Sequence, residues 1–278
     1  MNNLLKRIIT ALIGATLLIS AIFVSPIGFW LVCFLISVLG LREFFHLVGL
    51  PKKPLQLWGT LLAIIVWSIP LFQLLLEVLT EIPDSAQLFT FALIFPLSAI
   101  FLLFSKHTDQ ALSYLSLYIL GFIYCLLPFY LFFDISVPAI SDKYQPWMPF
   151  AIFWLTWSVD TGAYFAGRFL GKRPLYPKIS PKKTWEGAIG GALICLVFAY
   201  IFQNYIPQPN HVDINWYIVA AIILSVGQAG DLVESMLKRN LEIKDSGSIL
   251  PGHGGILDRF DGLLLSLPVI YLYFLIIS

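Results

Sequence analysis

Charged residues are scarce in this chain of 278 residues. Seventeen lysines and arginines and sixteen aspartates and glutamates make up only 12% of the sequence, and the net charge is +1. Because nucleic-acid binding depends on clustered positive charge, no nucleic-acid partner is expected. Cysteines are also few: Cys33, Cys125 and Cys195 stand apart in apolar runs, without CxxC or zinc-ligand spacing. They are interpreted as small buried side chains.

Hydrophobic residues make up 59% of the chain, and the mean hydropathy is +0.85. About 20 consecutive apolar residues span a bilayer as a helix, so the sequence predicts an all-α, polytopic integral membrane protein with about nine transmembrane helices. Residues 8–24 are interpreted as an uncleaved first span and not as a signal peptide. The approximate spans are 8–24, 29–45, 57–77, 87–104, 111–133, 148–169, 186–205, 215–237 and 257–277.

The basic residues predict the orientation of these helices. With a cytoplasmic N-terminus, Lys143 is the only one of the seventeen lysines and arginines that falls in an outer loop. This distribution follows the positive-inside rule. A bacterial inner membrane, or alternatively an organelle membrane, is expected, with the active site facing the cytoplasm. Because the long basic loops follow residue 150, we predict an N-terminal scaffold at 1–147 and a catalytic part at 148–278.

Polar residues are concentrated between positions 231 and 261, where eleven of thirty-one residues are Asp, Glu, Lys, Arg or His. Ionisable groups at membrane depth are costly, so they are functional candidates. Helical spacing places three of them on one face together with Ser235: Asp231, Glu234 and Lys238. Asp258 and Asp261 begin the next helix, and the two carboxylate pairs could meet at one Mg²⁺ or Mn²⁺ ion. The alternative is a buried ion-pair network with Lys238, Arg239 and Arg259.

Two loops have the composition of phosphate sites. The segment Ser246–Gly255 contains glycines that allow backbone N–H groups to approach an anion before a helix N-terminus. His253 either donates to a phosphate or shapes this loop. The second loop offers Ser180, Lys182, Lys183 and Thr184 as donors for a polyphosphate. The alternative for its lysines is ordinary cytoplasmic charge.

Three further features of the sequence have weaker interpretations. Asp160 either completes the polar site or bonds locally within its helix. Glu43 is expected to be structural. Gly187 and Gly191 form a GxxxG pair that predicts helix packing.

Residues 235–261 resemble, position by position, the signature of the phosphatidate cytidylyltransferases. The matching residues are Ser235, Lys238, Arg239, Lys244, Asp245, Gly247, Leu250, Pro251, His253, Gly254, Gly255, Asp258, Arg259 and Asp261. Segments 160–168, 179–187 and 230–235 are also similar to this family. Gly262 departs from it, because the family frequently has serine there.

The resemblance implies that CTP and phosphatidic acid give CDP-diacylglycerol and pyrophosphate in a membrane, with Mg²⁺, Mn²⁺ or a second cation as cofactor. It also implies a homodimer. Asp231, Asp258, Lys238 and Arg239 are the expected catalytic residues, and Asp231, Asp258, Asp261 and Glu234 the expected metal ligands. The expected substrate-binding residues are Ser180, Lys182, Lys183, Thr184, Ser235, Gly252, His253, Gly254, Gly255 and Arg259.

The sequence also has features that bear on alternative functions. A polyprenol kinase fits the signature at 235–261 poorly, whereas a cytidylyltransferase for another lipid phosphate fits it equally well. An ion-coupled transporter could use Asp160, Asp231 and Asp258 as its pathway. Transporters commonly have paired halves with matching broken helices, and the sequence shows no such symmetry.

Overall fold

The computed structural model describes residues 3–50, 53–76, 90–105, 110–137, 144–208, 212–247, 249 and 254–277. Helices dominate these residues, which confirms the predicted all-α membrane class. The chain forms two compact units. The first comprises Met1–Ser141 and Ser246–Leu257, and the second comprises Asp142–Asp245 and Asp258–Ser278. The division into a scaffold and a catalytic part stays a prediction.

The described residues of the first unit form six helices. They are α1 (Asn3–Val24), α2 (Pro26–Leu47), α3 (Lys53–Leu76), α4 (Ile94–Leu103), α5 (Ala111–Gly121) and α6 (Leu127–Ser136). A π-helical turn at Phe122–Leu126 makes α5 and α6 continuous. Ser25 forms the junction of α1 and α2, where its hydroxyl accepts a hydrogen bond of 3.0 Å from Gly28 N. The connection between the predicted spans 8–24 and 29–45 is therefore a single capping residue.

Aromatic side chains form the core of the first unit. Trp67 is fully buried and donates from Nε1 to the Ser37 hydroxyl on α2 over 2.8 Å. Its ring packs near Tyr130 and Phe133 on α6, with centroids 5.5 and 6.0 Å away. Buried aromatic groups of this size contribute much of the apolar area that leaves solvent on folding. The contacts join α2, α3 and α6.

The second unit contains helices and one β-hairpin. Its elements are α7 (Trp147–Leu170), β1 (Pro174–Tyr176), β2 (Ser180–Thr184), α8 (Trp185–Tyr205), α9 (Trp216–Ile222), α10 (Gln228–Asn240) and α11 (Leu257–Ile277), whose first residue belongs to the first unit. A π-helical turn at Ile223–Gly227 joins α9 to α10. The predicted basic loop thus includes two antiparallel strands. Glu186 supports them, because its Oε2 accepts from the backbone N–H groups of Lys172 and Arg173 at 3.0 and 3.2 Å.

Glycines let α7 and α8 touch through their backbones. A Cβ at Gly162 would lie 2.8 Å from Gly190 O, and one at Gly191 would lie 2.7 Å from Val159 O. Side chains at these positions would force the helices apart. The sequence interpretation of Gly187 and Gly191 as packing residues agrees with this contact, since a Cβ at Gly187 would lie 2.9 Å from Ala163 O.

Six helices of the described chain are long and apolar enough to cross a membrane. They are Pro26–Leu47, Lys53–Leu75, Ala111–Ser136, Trp185–Tyr205, Trp216–Asn240 and Leu257–Ile277. Thr10–Val24 and Thr90–Leu103 are apolar but shorter. The helix α7 has the length, but its sequence includes Thr156, Asp160 and Arg168. A helix lies in each of the nine predicted ranges, while the count of nine crossings stays a prediction.

Candidate active site

The second unit contains a cavity of about 290 Å³. This volume is near the lower end of the range for small-molecule sites. Its walls come from α7, the β-hairpin, α8, the π-helical turn, α10 and α11. The charged lining residues are Asp160, Asp231, Asp261, Lys182, Lys183 and Arg259. Three carboxylates and three cationic side chains therefore share one cavity.

Helical spacing explains how α7 contributes to this cavity. Asp160 lines it together with Thr156 and Tyr164, which are one helical turn away on either side. Ala163 and Gly167 continue the same face, and their small size leaves space beside the carboxylate. Asp160 therefore belongs to the polar site, one of the two interpretations that the sequence left open.

The helices α10 and α11 bring two further carboxylates to the cavity. Asp231 lies on the first turn of α10, directly after the π-helical turn, a feature often found at functional sites. Asp261 lies on α11, where its Oδ1 accepts a hydrogen bond of 2.7 Å from Gly262 N. A Cβ at Gly230 would lie 2.6 Å from Asp261 O, so glycine permits the close approach of the two helices.

Asp231 forms an ion pair with Lys183 inside the cavity. The partners are Asp231 Oδ2 and Lys183 Nζ, and their side chains are 31% and 29% exposed. The Ser235 hydroxyl donates to Asp231 Oδ1 over 3.4 Å. Because the pair is accessible to solvent, a charged ligand that enters the cavity could displace one partner from the other.

Lys238 makes a second, more deeply buried ion-pair cluster. Its Nζ lies 2.6 Å from Asp258 Oδ1 and 3.3 Å from Glu234 Oε1. The Glu234 side chain is 2% exposed and that of Asp258 is 8% exposed, and neither lines the cavity. Part of the predicted ion-pair network is therefore present. Of the other predicted members, Arg239 is exposed and donates to Ile243 O over 3.5 Å, and Arg259 lines the cavity.

The carboxylate oxygens of the cavity are the type of ligand that a hard divalent cation binds. Asp261 is within electrostatic range of Asp231, Glu234 and Asp160, and clustered carboxylate oxygens are the ligands that Mg²⁺ and Mn²⁺ favour. Within the part of the chain that the structure describes, no three Asp, Glu, His or Cys side chains meet at metal-binding distance. The predicted ligand set of Asp231, Asp258, Asp261 and Glu234 stays a prediction.

The remaining predicted residues lie in several places. Thr184 lines the cavity and caps α8, with its hydroxyl accepting from Gly187 N over 3.1 Å. Ser180 lies on β2 outside the lining. Gly254, with φ of 85°, and Gly255 belong to the first unit. Gly252 and His253 lie outside the described residues.

Sequence reasoning missed several polar residues of the cavity. Thr156 and Tyr164 lie four residues before and after Asp160, and Gln228 lies three residues before Asp231. Helical periodicity around each aspartate is the signal that predicts them. Outside the cavity, the contacts of Glu186 were not predicted either. Its partners are backbone N–H groups, which every residue type except proline provides, so the sequence does not identify them.

Residues 5–277 match the model of the cytidylyltransferase family. The chain belongs to this family. It is 36% identical over 278 residues to the phosphatidate cytidylyltransferase of Bacillus subtilis (strain 168), covering 99% of this chain and 98% of that protein. The phosphatidate cytidylyltransferase of Brucella suis biovar 1 (strain 1330) is 33% identical over 275 residues, or 98% and 94% of the two chains. That of Haemophilus influenzae is 48% identical over 132 residues, which are 45% of each chain.

Family membership confirms the resemblance found in the sequence. Because the match extends over nearly the whole chain, the apolar N-terminal helices belong to the cytidylyltransferase family as much as the polar C-terminal helices do. The cavity is thus a feature of a membrane-embedded nucleotidyltransferase.

Proposed function

We propose that this protein transfers CMP from CTP to phosphatidic acid, forming CDP-diacylglycerol and pyrophosphate for phospholipid biosynthesis. The observation that carries the proposal is the full-length likeness to relatives named phosphatidate cytidylyltransferase. The cavity provides the chemistry, since it combines cationic side chains with carboxylates. The signature at 235–261 argues against a polyprenol kinase, and the absence of paired halves in the sequence argues against a transporter.

The reaction joins two phosphates. An oxygen of the lipid phosphate attacks the α-phosphorus of CTP, and a new P–O bond forms there. The bond from the α-phosphorus to the oxygen bridging to the β-phosphorus breaks, and its electron pair leaves with pyrophosphate. A phosphate monoester has its second pKa near roughly 6, so the nucleophile is already ionised at neutral pH. The residues need not supply a general base.

The main obstacle is repulsion between two anions, and the cationic residues of the cavity would relieve it. Lys182, Lys183 and Arg259 line the cavity and would bind phosphate oxygens. Lys183 would exchange Asp231 for a phosphate oxygen when the nucleotide binds. The Thr184 hydroxyl is a further donor in the same wall.

A divalent cation would be held by Asp231 and Asp261, with Asp160 beside them in the cavity. When bound, it would neutralise phosphate charge and stabilise the leaving pyrophosphate. Asp258 and Glu234, the other ligands expected from the sequence, would coordinate the cation only if their contacts with Lys238 were broken. In the structure as described, Lys238 instead holds these two carboxylates in place.

The protein is an integral membrane protein, as the six long apolar helices among its described residues indicate. We place it in a bacterial inner membrane with the cavity open to the cytoplasm, because sixteen of its seventeen basic residues fall in predicted cytoplasmic segments. CTP would then arrive from water and phosphatidic acid through the leaflet. A homodimer stays a prediction from the resemblance.

The test is conversion of phosphatidic acid by detergent-purified protein with CTP and Mg²⁺, with both CDP-diacylglycerol and pyrophosphate measured. Asp231→Asn removes a cavity charge at constant size, and a loss of at least about 100-fold in rate is expected, as for other groups that stabilise developing charge. Asp213→Asn, at an exposed aspartate of the same unit, is the matched control. Removal of Mg²⁺ by a chelator should stop the reaction reversibly.

Three results would contradict the proposal. Phosphorylated lipid with release of CDP would indicate a kinase. Product from a polyprenyl phosphate but not from phosphatidic acid would indicate another lipid substrate. Folded wild-type protein that releases no pyrophosphate with any lipid phosphate would exclude cytidylyl transfer.

A further inference from the structure

Glu43 is a buried carboxylate in the first unit. It lies on α2 near its C-terminal end and is 5% exposed. A buried charge is costly unless it is hydrogen-bonded. Glu43 Oε2 accepts from the backbone N–H of Leu257 at 3.0 Å and from the hydroxyl of Ser246 at 3.3 Å. These partners lie more than 200 residues away along the chain, so they are not a local helix feature.

The two partners mark the ends of one segment, residues 246–257, which we call the glycine segment. Of it, residues 246, 247, 249 and 254–257 are described. Leu257 is the first residue of α11, and the first N–H groups of a helix have no acceptor within the helix. A carboxylate is favoured there also by the helix dipole. A single oxygen of Glu43 therefore fixes both ends of the glycine segment.

Two glycines, Gly247 and Gly255, pack closely against this carboxylate. A Cβ at Gly247 would lie 2.5 Å from Glu43 Oε1, and a Cβ at Gly255 would lie 2.5 Å from Oε2. One turn earlier on α2, a Cβ at Gly40 would lie 3.1 Å from Leu257 Cδ2. The carboxylate, the glycines and the start of α11 thus fit each other closely, with room for no larger side chain.

We infer that Glu43 is a positioning residue for the cytidylyl transfer. It ties the ends of the glycine segment together and so fixes the residue that directly precedes Asp258 in the chain. The inference rests on the proposed function for its catalytic consequence, whereas the anchoring itself does not. Glu43 acts through the segment, as a hydrogen-bond acceptor, and needs no contact with either substrate.

The anchoring is measured by cysteine labelling without any substrate. Ile256→Cys places a thiol at a position that is 7% exposed, and the native Cys33, Cys125 and Cys195 are buried, so background labelling is low. With a water-soluble maleimide, Glu43→Ala should raise the labelling rate of this cysteine about 10-fold or more, because two hydrogen bonds to a charged acceptor are lost. Glu43→Gln keeps an acceptor oxygen and should stay within about threefold of its parent.

Ser37→Ala is the matched control, since Ser37 is a buried polar residue of the same helix that bonds to Trp67 instead. It should leave labelling unchanged. In parallel, the kcat for CDP-diacylglycerol formation should fall about 10-fold in Glu43→Ala and recover in Glu43→Gln. Ser246→Ala removes one of the two donors and should give a smaller rise in labelling, which keeps the test valid if Glu43→Ala does not fold.

Equal labelling of the Glu43→Ala and Ser37→Ala proteins would overturn the inference. So would a Glu43→Gln protein as impaired as Glu43→Ala, because charge and not hydrogen-bond acceptance would then be required. An inactive wild type would instead refute the proposed function, and the labelling result would remain to decide the anchoring. The two failures are therefore distinguishable.

Discussion

Removal of the Lys238 side chain should strongly destabilise the second unit. Its Nζ lies 2.6 Å from Asp258 Oδ1 and 3.3 Å from Glu234 Oε1, and all three side chains are at most 13% exposed. Removing one partner of a buried ion pair costs about 3–5 kcal/mol, since the remaining charge loses its compensation. In Lys238→Met, the carboxylates of Glu234 and Asp258 both lose their compensating positive charge, while methionine still fills much of the space of the lysine stem. Solvent screening reduces this cost little, because the cluster is buried.

Thermal unfolding of the purified protein in detergent measures the effect. A change of 1 kcal/mol shifts the unfolding temperature of a protein near this size by about 2–4 °C, so a decrease of about 6–20 °C is expected. Lys172→Met is the matched control, because the Lys172 side chain is exposed. A surface substitution of this kind changes stability by about 0.5 kcal/mol or less.

A double variant separates the loss of charge pairing from the loss of packing. Lys238→Met combined with Glu234→Gln removes one of the two uncompensated charges, so it should unfold at a higher temperature than Lys238→Met alone. Two results would refute the reasoning. The first is that Lys238→Met unfolds at the same temperature as Lys172→Met. The second is that adding Glu234→Gln to Lys238→Met lowers the unfolding temperature further.

Two more outcomes follow from the structure. Lys183→Ala should lower kcat/KM for CTP by about 10–100-fold, because a charge-assisted contact to phosphate is lost. Lys172→Ala, which removes an exposed basic residue outside the cavity, should leave this constant unchanged in the same steady-state assay. Gly162→Val should reduce stability by about 1–3 kcal/mol, since its Cβ would meet Gly190 O at 2.8 Å. Gly14→Val, where a Cβ would meet no atom within 4 Å, should have the unfolding temperature of the wild type. If both valine variants unfolded at the same temperature, the close packing of α7 and α8 would be contradicted.

Long apolar runs predicted most of the helices, because in a bilayer the backbone satisfies its hydrogen bonds within one segment. A helix lies in every predicted range, and several ends agree within a few residues. The β-hairpin was not predicted. Its strands are only three and five residues long, and the chain just before them is held by one acceptor, Oε2 of Glu186, which belongs to the following helix. Such short elements carry too little periodic pattern to be recognised.

The sequence also predicted which polar residues share a helix face, but not which partners they find on other helices. Asp231, Glu234, Ser235 and Lys238 lie on α10 as their spacing indicates. The sequence could not predict that Asp231 pairs with Lys183 of the hairpin, and it offered the pairing of Lys238 with Asp258 of α11 only as part of the alternative ion-pair network. Spacing along one helix says nothing about distances between helices, which packing decides. The contact of Glu43 with Ser246, across 203 positions, was beyond prediction for the same reason.

The balance of charge in the cavity constrains how the proposed substrates would bind. Three carboxylates and three cationic side chains line it, and Lys183 already neutralises Asp231. A triphosphate alone would take Lys183 and leave Asp231 without a partner, at the cost of an unpaired carboxylate. A triphosphate accompanied by a divalent cation would satisfy both, with phosphate oxygens on the lysine and the cation on the aspartate. The ion pair between Lys183 and Asp231 would then favour the metal–nucleotide complex over either component alone.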